Sequence, residues 1–361
     1  MRIKNLKLKN FRNYENESIS FGEGLNVLFG KNAQGKTNCA EAVFYLCTGT
    51  SPRCRREKQL IRHGCDCAEI SALAEGVYGE IEISAKITES GREVKLNGNK
   101  ITRNADILGN IYSVFFSPHE LRLIQDGPDE RRRFLNVSIS QLSRPYYVAL
   151  SRYNKILEQR NNLLKNRDLQ LVYETLPVWD EQLCKYAAVI ASKRAEFVEM
   201  LAPIAAQIHA YITDGAEKLE VSPEKKYKGD EKQLSERLFS ELSANYDRDI
   251  RLGFTASGPH RDDLDIVIDG SDAKNFASQG QTRTAALSIK LAEVEIFKKL
   301  SGEYPVLVLD DVMSELDLPR RKKLATRTQG LQTILTCTHA ERVLYGRETH
   351  KIKVENGKIK Q

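Results

Sequence analysis

The segment Gly30-Lys31-Asn32-Ala33-Gln34-Gly35-Lys36-Thr37 constrains the fold of this chain most, because it matches the P-loop pattern G-x-x-x-x-G-K-[ST] at every fixed position. The apolar run 25–29 before it predicts a buried strand, and residues 38–47 after it predict a helix with one apolar face. A helix N-terminus is where phosphate anions bind best. The chain is therefore predicted to bind a nucleoside triphosphate; the alternative is a chance glycine-rich turn before a helix.

The chemistry of a P-loop assigns a role to each of its conserved positions. Backbone N–H groups freed by the glycines surround the phosphates, the Lys36 ammonium neutralises the β and γ oxygens, and the Thr37 hydroxyl binds Mg²⁺. The predicted cofactors are thus ATP and Mg²⁺. The predicted nucleotide contacts in this segment are Gly30, Lys31, Asn32, Ala33, Gln34, Gly35, Lys36, Thr37 and Asn38.

A second acidic feature follows the apolar, β-branched run 305–309, which predicts a buried parallel strand that ends in Asp310 and Asp311. Asp310 is predicted to hold Mg²⁺ directly or through water, and Asp311 to polarise the water that attacks the γ-phosphate. Lys36, Asp310 and Asp311 are the candidate catalytic residues. A paired Asp that merely begins a turn is the alternative.

The segment Ser278-Gln279-Gly280-Gln281 precedes a strong helical pattern over 282–300. A hydroxyl, a glycine and side-chain amides thus stand again at a helix N-terminus, which predicts a second phosphate-binding group in the same chain. An ordinary N-cap with a flexible glycine is the alternative.

Together these motifs resemble the heads of ABC-type ATPases of the SMC group, and within that group the RecF family of bacterial recombination mediators. The P-loop, the S-x-G-Q segment and the two acids occur in the order of that group. The RecF resemblance extends over almost the whole chain and rests on residues 8–14 (LKNFRNY), 116–118 (FSP), 127–132 (GPDERR), 258–263 (GPHRDD), 278–281 (SQGQ) and 309–317 (LDDVMSELD).

The resemblance implies that Ser278 and Gly280, the signature residues of one subunit, complete the nucleotide site of the other in an ATP-driven homodimer. It places Arg12 and Asn13 against the nucleotide and Asp317 across the dimer. Asp311 stands where most ABC heads have Glu, and its shorter side chain is compatible with slow hydrolysis. His339 follows the apolar run 333–338 at the position of a γ-phosphate sensor; it is predicted either to sense the phosphate or to face solvent at a strand end.

The expected fold is α/β: an ABC-type ATPase head with a P-loop core and an antiparallel side sheet, plus an inserted helical lobe. The predicted division is 1–143 for the N-terminal half of the head, 144–245 for the lobe and 246–361 for the C-terminal half. Up to about residue 140 we expect strands and turns with one helix after the P-loop. Asn97-Gly98 and Asn356-Gly357 predict hairpin turns.

In the lobe, Pro177 predicts a break between helices and Pro203 a kink or an end. A helix of about 30 residues would reach only ~45 Å, which predicts a short lobe and not the long coiled coil of an SMC protein. The rejected SMC-like interpretation is a structural tether that holds DNA in a ring.

A formal charge of +6 permits nucleic acid as a partner, and three basic clusters stand out at 53–62, 131–133 and 320–323. Clustered cations bind phosphates without reading bases, so binding should be salt-sensitive and not sequence-specific. We expect Arg55, Arg56 and Arg62 to contact DNA, because they follow the P-loop helix. Arg131 and Arg132 are instead candidates for joining the core to the lobe.

No stretch approaches the ~20 apolar residues of a membrane span, and the N-terminus lacks an apolar signal core, which predicts a cytoplasmic protein with no membrane partner. The resemblance implies a weak, DNA-linked ATPase of recombinational repair, fork maintenance and the SOS response. Its expected partners are double-stranded DNA with gaps or single-strand junctions, RecR-type and RecO-type proteins, and the RecA recombinase that it helps to load. A transporter ATPase and a metabolic kinase are the competing classes.

Overall fold

The structure is a computed structural model of the 361-residue chain and describes residues 1–54, 56–225, 227, 229–340 and 349–360. In these ranges no helix has the length and apolar character needed to cross a membrane. Three β-sheets and a set of long helices make up the fold.

The first sheet is antiparallel throughout and has the strand order β2-β1-β4-β5-β6-β7. Its strands are β1 (Arg2–Phe11), β2 (Tyr14–Ser20), β4 (Cys67–Gly76), β5 (Gly79–Thr88), β6 (Gly91–Leu96) and β7 (Asn99–Ile101). Asn97 and Gly98 form the turn between β6 and β7, both with positive φ, so the predicted hairpin is confirmed. This sheet is the expected antiparallel side sheet.

The second sheet carries the P-loop and has the order β15-β14-β3-β13-β12-β8. Its strands are β3 (Leu25–Phe29), β8 (Ser113–Phe116), β12 (Val306–Asp310), β13 (Thr333–Cys337), β14 (Thr349–Glu355) and β15 (Lys358–Lys360). All neighbours run parallel except the β14/β15 hairpin, whose turn is Asn356-Gly357 as predicted. The carboxyl ends of β3, β13 and β12 therefore meet at one edge, where ligands bind in open α/β sheets.

Side chains alternate between the two faces of this sheet and build two cores. Val306 and Val308 pack with helix α1 (Lys36–Thr48) and the first sheet, whereas Leu307 and Leu309 face the core that contains α9 (Gln279–Ser301). Because β12 is buried on both sides, it is a continuous apolar run. The two helices that carry the candidate phosphate-binding segments thus lie on opposite faces of one sheet.

The middle of the chain is helical, with a small antiparallel sheet of order β11-β10-β9. Its helices are α2 (Arg122–Gln125), α3 (Pro128–Leu142), α4 (Arg144–Leu163), α5 (Leu169–Thr213), α6 (Glu231–Ala244) and α7 (Tyr246–Leu252). The remaining elements are β9 (Leu219–Pro223), β10 (Leu264–Ile268), β11 (Ser271–Asp272), α8 (Ala273–Phe276) and α10 (Leu318–Arg327). The helices α2 and α3 lie before residue 143, so the expectation of a single helix in that part was wrong.

The break predicted at Pro177 was also wrong, because α5 runs through Pro177 and Pro203 as one helix of 45 residues, about 68 Å long. Each proline costs an interior helix about 3 kcal/mol. Packing outweighs this cost, since a buried stripe continues past both prolines and contacts α4, α6 and α9. The helix is therefore longer than the ~45 Å expected for a helix of about 30 residues. The three-part division of the chain stays a prediction.

Buried ion pairs and hydrogen bonds hold the helices of this region to one another and to the segment 258–263. Arg160 of α4 is fully buried and pairs with Asp180 of α5 and with Asp249 of α7, the latter at 2.8 Å. Arg131 of α3 forms two hydrogen bonds with the Asp263 carboxylate, at 2.6 and 2.7 Å. Arg132 donates to the Asp262 carbonyl. Arg131 and Arg132 therefore serve in the structure to attach α3 to the 258–263 segment.

His260 of this segment is half-buried and contacts α4. The Tyr153 hydroxyl lies 2.6 Å from Nδ1 of His260, and Nε2 of the imidazole donates to the Thr255 carbonyl at 3.0 Å. Burial lowers the pKa of His260 to about 4. The imidazole is therefore neutral at pH 7.

This shift predicts a pH-dependent stability. The unfolded chain, with a His pKa of about 6.5, takes up the proton first as the pH falls. The contribution of the neutral His260 to the free energy of unfolding is thus complete above pH 6.5 and is lost as the pH falls toward 4. At pH 5 the free energy of unfolding is lower by about 2 kcal/mol. In urea unfolding, the free energy of unfolding should fall less between pH 7 and pH 5 for His260→Gln than for wild type. His119→Gln, at an exposed site, should behave as wild type; an unchanged loss in His260→Gln would contradict the prediction.

Candidate nucleotide-binding site

The P-loop joins β3 to α1 in a conformation that its glycines require. Gly30 has φ +152°, and a Cβ there would lie 2.2 Å from the Val354 carbonyl oxygen. Gly35 has φ +119°, and its Cβ would lie 2.7 Å from Nδ2 of Asn13. Lys31, Asn32 and Ala33 at the tip of the loop are exposed. The loop is therefore open to solvent at its tip and closely packed at both ends.

The Lys36 side chain is folded against the loop. Its ammonium donates to the carbonyl oxygens of Gly30 and Lys31, at 2.8 and 2.7 Å. Burial lowers the pKa of Lys36, and the charges of Asp311 and Asp310 act in the opposite direction. The ammonium is thus held beside two carboxylates at the loop, where a phosphate anion would neutralise it.

The candidate metal ligands come together from distant parts of the chain. The Thr37 hydroxyl donates to Oδ1 of Asp310 at 2.8 Å, and the Thr336 hydroxyl donates to the same oxygen at 2.7 Å. Asp310 is buried, which raises its pKa. A hydroxyl and one carboxylate are the oxygen ligands with which Mg²⁺ binds beside a phosphate, and it keeps waters in its remaining positions. The residues therefore fit Mg²⁺.

Asp311 adopts a left-handed conformation, with φ +53°, directly after the β12 strand. Its N–H donates to the Thr336 hydroxyl at 3.0 Å, and its carboxylate accepts from Ser314 at 3.2 Å. The residue is exposed. Asp310 and Asp311 thus face different surroundings: Asp310 is buried against α1, and Asp311 is free to meet solvent.

Arg12 and Asn13 lie behind the loop, at the end of the first sheet. The Arg12 guanidinium pairs with both oxygens of the buried Glu41, at 2.8 and 2.7 Å. Asn13 donates to the Gln34 carbonyl and accepts from Asn38, both at 2.8 Å. Both residues therefore touch the P-loop or its helix through protein atoms, and their contact with nucleotide stays a prediction.

The signature segment lies at the N-terminus of α9. Ser278 caps the helix: its hydroxyl accepts from the Gln281 N–H at 3.2 Å, and the Gln281 side chain accepts from the Ser278 N–H at 2.9 Å. Ser278 and Gln279 are exposed. In the described parts of the chain, no hydrogen bond or ion pair links residues 278–281 to the P-loop at 30–38. The second phosphate-binding group is therefore not bonded to the first.

Asp317 caps α10, with Oδ1 accepting from the Arg320 N–H at 2.9 Å. The Arg320 guanidinium also lies 3.4 Å from the Asp317 carboxylate and 3.7 Å from where a Cβ of Gly280 would stand. Asp317 and the signature residues consequently share one exposed surface.

His339 lies two residues after β13, the strand between β3 and β12. It is exposed, and its carbonyl accepts from the Cys337 thiol at 3.4 Å. This position is at the same edge of the sheet as the P-loop and Asp310. An exposed imidazole at this edge fits both the sensor and the solvent-facing interpretation, so the sensor role of His339 stays a prediction.

The three arginines predicted to contact DNA follow α1. Arg55 lies outside the described residues, Arg56 is exposed, and Arg62 is partly exposed with its guanidinium 3.4 Å from Glu15. Their neighbour Arg53 is bound to the site, since it donates to the Asn38 side chain at 2.9 Å. The basic segment is therefore in direct contact with the P-loop helix.

Comparison with known proteins decides the family. The family model described as "RecF/RecN/SMC N terminal domain" matches residues 2–361. The "DNA replication and repair protein RecF" of Clostridium acetobutylicum is 40% identical over 363 residues, covering 99% of each chain. That of Lachnoclostridium phytofermentans is 40% identical over 367 residues, covering 100% of each. The chain belongs to the RecF family.

Solved structures agree with this assignment. The recombination mediator RecF with ATP, in the RecFOR pathway, superimposes with a TM-score of 0.90 at 34% identity, covering 99% of this chain and 97% of that one. The Smc head domain of Pyrococcus furiosus, bound to the C-terminal domain of ScpA, gives a TM-score of 0.59 at 17% identity. This more distant likeness shows the fold alone. The fold is thus the ABC-type ATPase head expected for the RecF family.

Several residues of this RecF-family site were not found from the sequence. Glu41 holds Arg12, Thr336 holds both Asp310 and the Asp311 N–H, and the Tyr14 hydroxyl donates to the Gly35 carbonyl at 3.0 Å. Two of them carry a sequence signal: Glu41 is a carboxylate within the apolar face of the predicted P-loop helix, and Tyr14 ends the motif 8–14, which assigned it no role.

Proposed function

We propose that this chain is an ATP-dependent DNA-binding ATPase whose ATP-driven, head-to-tail homodimer clamps DNA and whose slow hydrolysis releases it. One observation carries the proposal: the tip of the P-loop with Asp311, and the surface of Ser278 and Asp317 beside Gly280, are both exposed, yet no bond among the described residues joins residues 278–281 to the P-loop. Each is half of a nucleotide site. A second copy, placed head to tail, would complete both halves.

The P-loop, Lys36, Thr37 and Asp310 would bind ATP with Mg²⁺ in each subunit, and the bound Mg²⁺ would supply charge neutralisation of the phosphates. Asp311 would orient the attacking water, with His339 as a candidate γ-phosphate sensor. Ser278 and Gly280 of the partner would meet the γ-phosphate with the α9 N-terminus, and Asp317 would reach across the interface.

The nucleotide then acts as a switch. ATP stabilises the dimer because it contacts both subunits, so dimer affinity depends on nucleotide by mass action. Hydrolysis removes the γ-phosphate contacts to Ser278 and Gly280, and the subunits separate. The shorter carboxylate of Asp311 is consistent with a slow step. A slow step suits a clamp, which must persist while other proteins act.

The biological role we propose is recombinational repair and maintenance of replication forks in the cytoplasm. The RecF structures similar to this chain belong to the RecFOR pathway. We therefore propose RecR-type and RecO-type partners, and loading of a RecA-type recombinase at gapped or junction DNA. The division into head halves 1–143 and 246–361 around the lobe 144–245 is part of this proposal.

DNA binding tests this proposal. Arg56 and Arg62 are proposed DNA contacts with the phosphate backbone, together with Arg55. The double variant Arg56→Glu, Arg62→Glu should bind duplex DNA at least about tenfold more weakly with ATP and reduce the salt-dependence slope by about 2. Lys232→Glu, Arg237→Glu makes the same charge change on exposed positions of α6. Fluorescence anisotropy in a salt series measures the affinity for DNA and its salt dependence for each variant.

The control pair should keep the slope and the affinity of wild type. Equal losses of DNA affinity in the two double variants would mean that net charge alone matters. The DNA would then not be assigned to the segment after α1. Wild-type affinity that is the same with and without ATP would contradict the clamp itself.

A further inference from the structure

The two Asn-Gly hairpin turns of this chain differ in what they touch. Around Gly98, no atom of the described residues beyond its chain neighbours lies within 4 Å of where a Cβ would stand. Asn356 and Gly357, which we call the C-terminal turn, instead lie on the P-loop. The Gly357 N–H donates to the Gln34 carbonyl at 3.0 Å, and the Asn356 N–H donates to the Gln34 side chain at 2.6 Å. Nothing in the proposed function uses this contact.

The turn holds one particular peptide group. The Gln34 carbonyl accepts from the Gly357 N–H and from Nδ2 of Asn13, so two donors on the same side fix its direction. Because a trans peptide is planar, the N–H of Gly35 points the opposite way from that carbonyl. The N–H of Gly35 is thereby directed away from the C-terminal turn.

The next peptide is held in the same manner. The Gly35 carbonyl accepts from the Tyr14 hydroxyl at 3.0 Å and from the Cys39 N–H of the helix. Two consecutive peptides, whose N–H groups belong to Gly35 and Lys36, therefore have fixed orientations before phosphate binds. Donors that need no reorganisation bind an anion more tightly than mobile ones.

The C-terminal turn has little room to move. A Cβ on Gly357 would stand 2.4 Å from the Asn13 carbonyl oxygen, and the residue has φ +68°. The hairpin is also fixed on its far side, where the Ile359 N–H and the Lys358 ammonium contact Glu17 of the first sheet, at 2.8 and 3.1 Å. On the other strand, the Val354 carbonyl packs on Gly30.

From this geometry we propose that the C-terminal turn is a positioning element of the nucleotide site, which holds the Gln34 peptide so that the loop N–H groups meet the triphosphate. Asn356 and Gly357 touch no substrate in this account and act through Gln34 and Asn13. The inference rests on the proposed ATP binding. It adds that the affinity for ATP depends on a segment over 300 residues from the P-loop in sequence.

Gly357→Ala and Gly98→Ala form a matched pair of variants. Both put a Cβ on a turn glycine with positive φ, +68° and +79°, and so carry similar backbone strain. Only Gly357→Ala also places a Cβ against the Asn13 carbonyl oxygen, and this clash should move the C-terminal turn away from Asn13 and the P-loop. We expect the Kd for ATP, measured by titration calorimetry, to rise at least tenfold in Gly357→Ala and to stay within twofold of wild type in Gly98→Ala. Thermal unfolding measures the strain that the two share.

Gly357→Asn separates strain from contact, because Asn tolerates positive φ while its Cβ meets the same carbonyl. Gly357→Asn should be more thermally stable than Gly357→Ala and show the same loss of ATP affinity. It therefore provides the test even if Gly357→Ala folds poorly. Kd values of both Gly357 variants within twofold of Gly98→Ala would overturn the inference. A wild type that binds no ATP would instead overturn the proposed function, so the two failures are distinguishable.

Discussion

Replacing Asp311 by Asn is expected to slow ATP hydrolysis by about two to three orders of magnitude, the usual contribution of a positioned general base. Asn has the same shape and accepts the left-handed conformation that this position requires, with φ +53°. The Asp311 N–H bond to Thr336 should therefore survive. What is lost is the negative charge that polarises water. Phosphate release in a single turnover measures the rate.

The same variant should bind ATP normally, because Thr37, Lys36 and Asp310 are unchanged. Its ATP dimer should accordingly last longer than that of wild type, since the step that ends it is slowed. Asp272→Asn, a matched change at an exposed position, should leave the rate of ATP hydrolysis and the lifetime of the ATP dimer as in wild type. A hydrolysis rate of Asp311→Asn within threefold of wild type would mean that another residue polarises the attacking water, and His339 at the same edge of the sheet is then the next candidate.

The second large effect is expected from Ser278→Arg. Ser278 is exposed at the N-terminus of α9 and has no bond with the described P-loop of its own chain. A long cation there would meet the partner's nucleotide site, and we expect dimer affinity with ATP to fall at least about a hundredfold, or ~3 kcal/mol. ATP binding by the monomer should stay unchanged. Sedimentation over a concentration series measures the dimer constant.

Loss of the helix cap must be separated from the steric effect of arginine. Ser278→Ala removes the hydroxyl that accepts from Gln281, at a cost of about 1 kcal/mol in stability. It adds no bulk, so its dimer should be weakened less than that of Ser278→Arg. Equal dimer constants for Ser278→Arg and wild type would place the interface elsewhere.

Local patterns sufficed for much of the fold. The P-loop, the strand that ends in Asp310, both Asn-Gly turns and the cap of α9 each depend on residues close together in sequence. The continuous α5 helix could not be predicted in this way, because Pro177 and Pro203 argue locally for breaks. Packing against other helices, α4, α6 and α9, outweighs these local signals, and the helix continues.

The site shows the same limit. The sequence predicts Thr37 and Asp310 as ligands of one Mg²⁺, and the structure places the Thr37 hydroxyl 2.8 Å from Oδ1 of Asp310, while the metal role itself stays a prediction. It did not identify Thr336, which is one of many hydroxyls in the chain and becomes important only because β13 lies beside β12. The contact of Asn356 with Gln34 likewise exists only because β14 pairs with β3. Such residues are found from strand order and not from motifs.

The central claim is that ATP joins two chains across half-sites that a single chain leaves apart. The most direct test is the solution mass by light scattering, with and without ATP and Mg²⁺, for wild type and Ser278→Arg. We expect wild type to pass from monomer to dimer only with ATP, and the variant to bind ATP and remain a monomer. A wild-type mass that saturating ATP does not change would contradict the clamp and favour a kinase or a transporter ATPase.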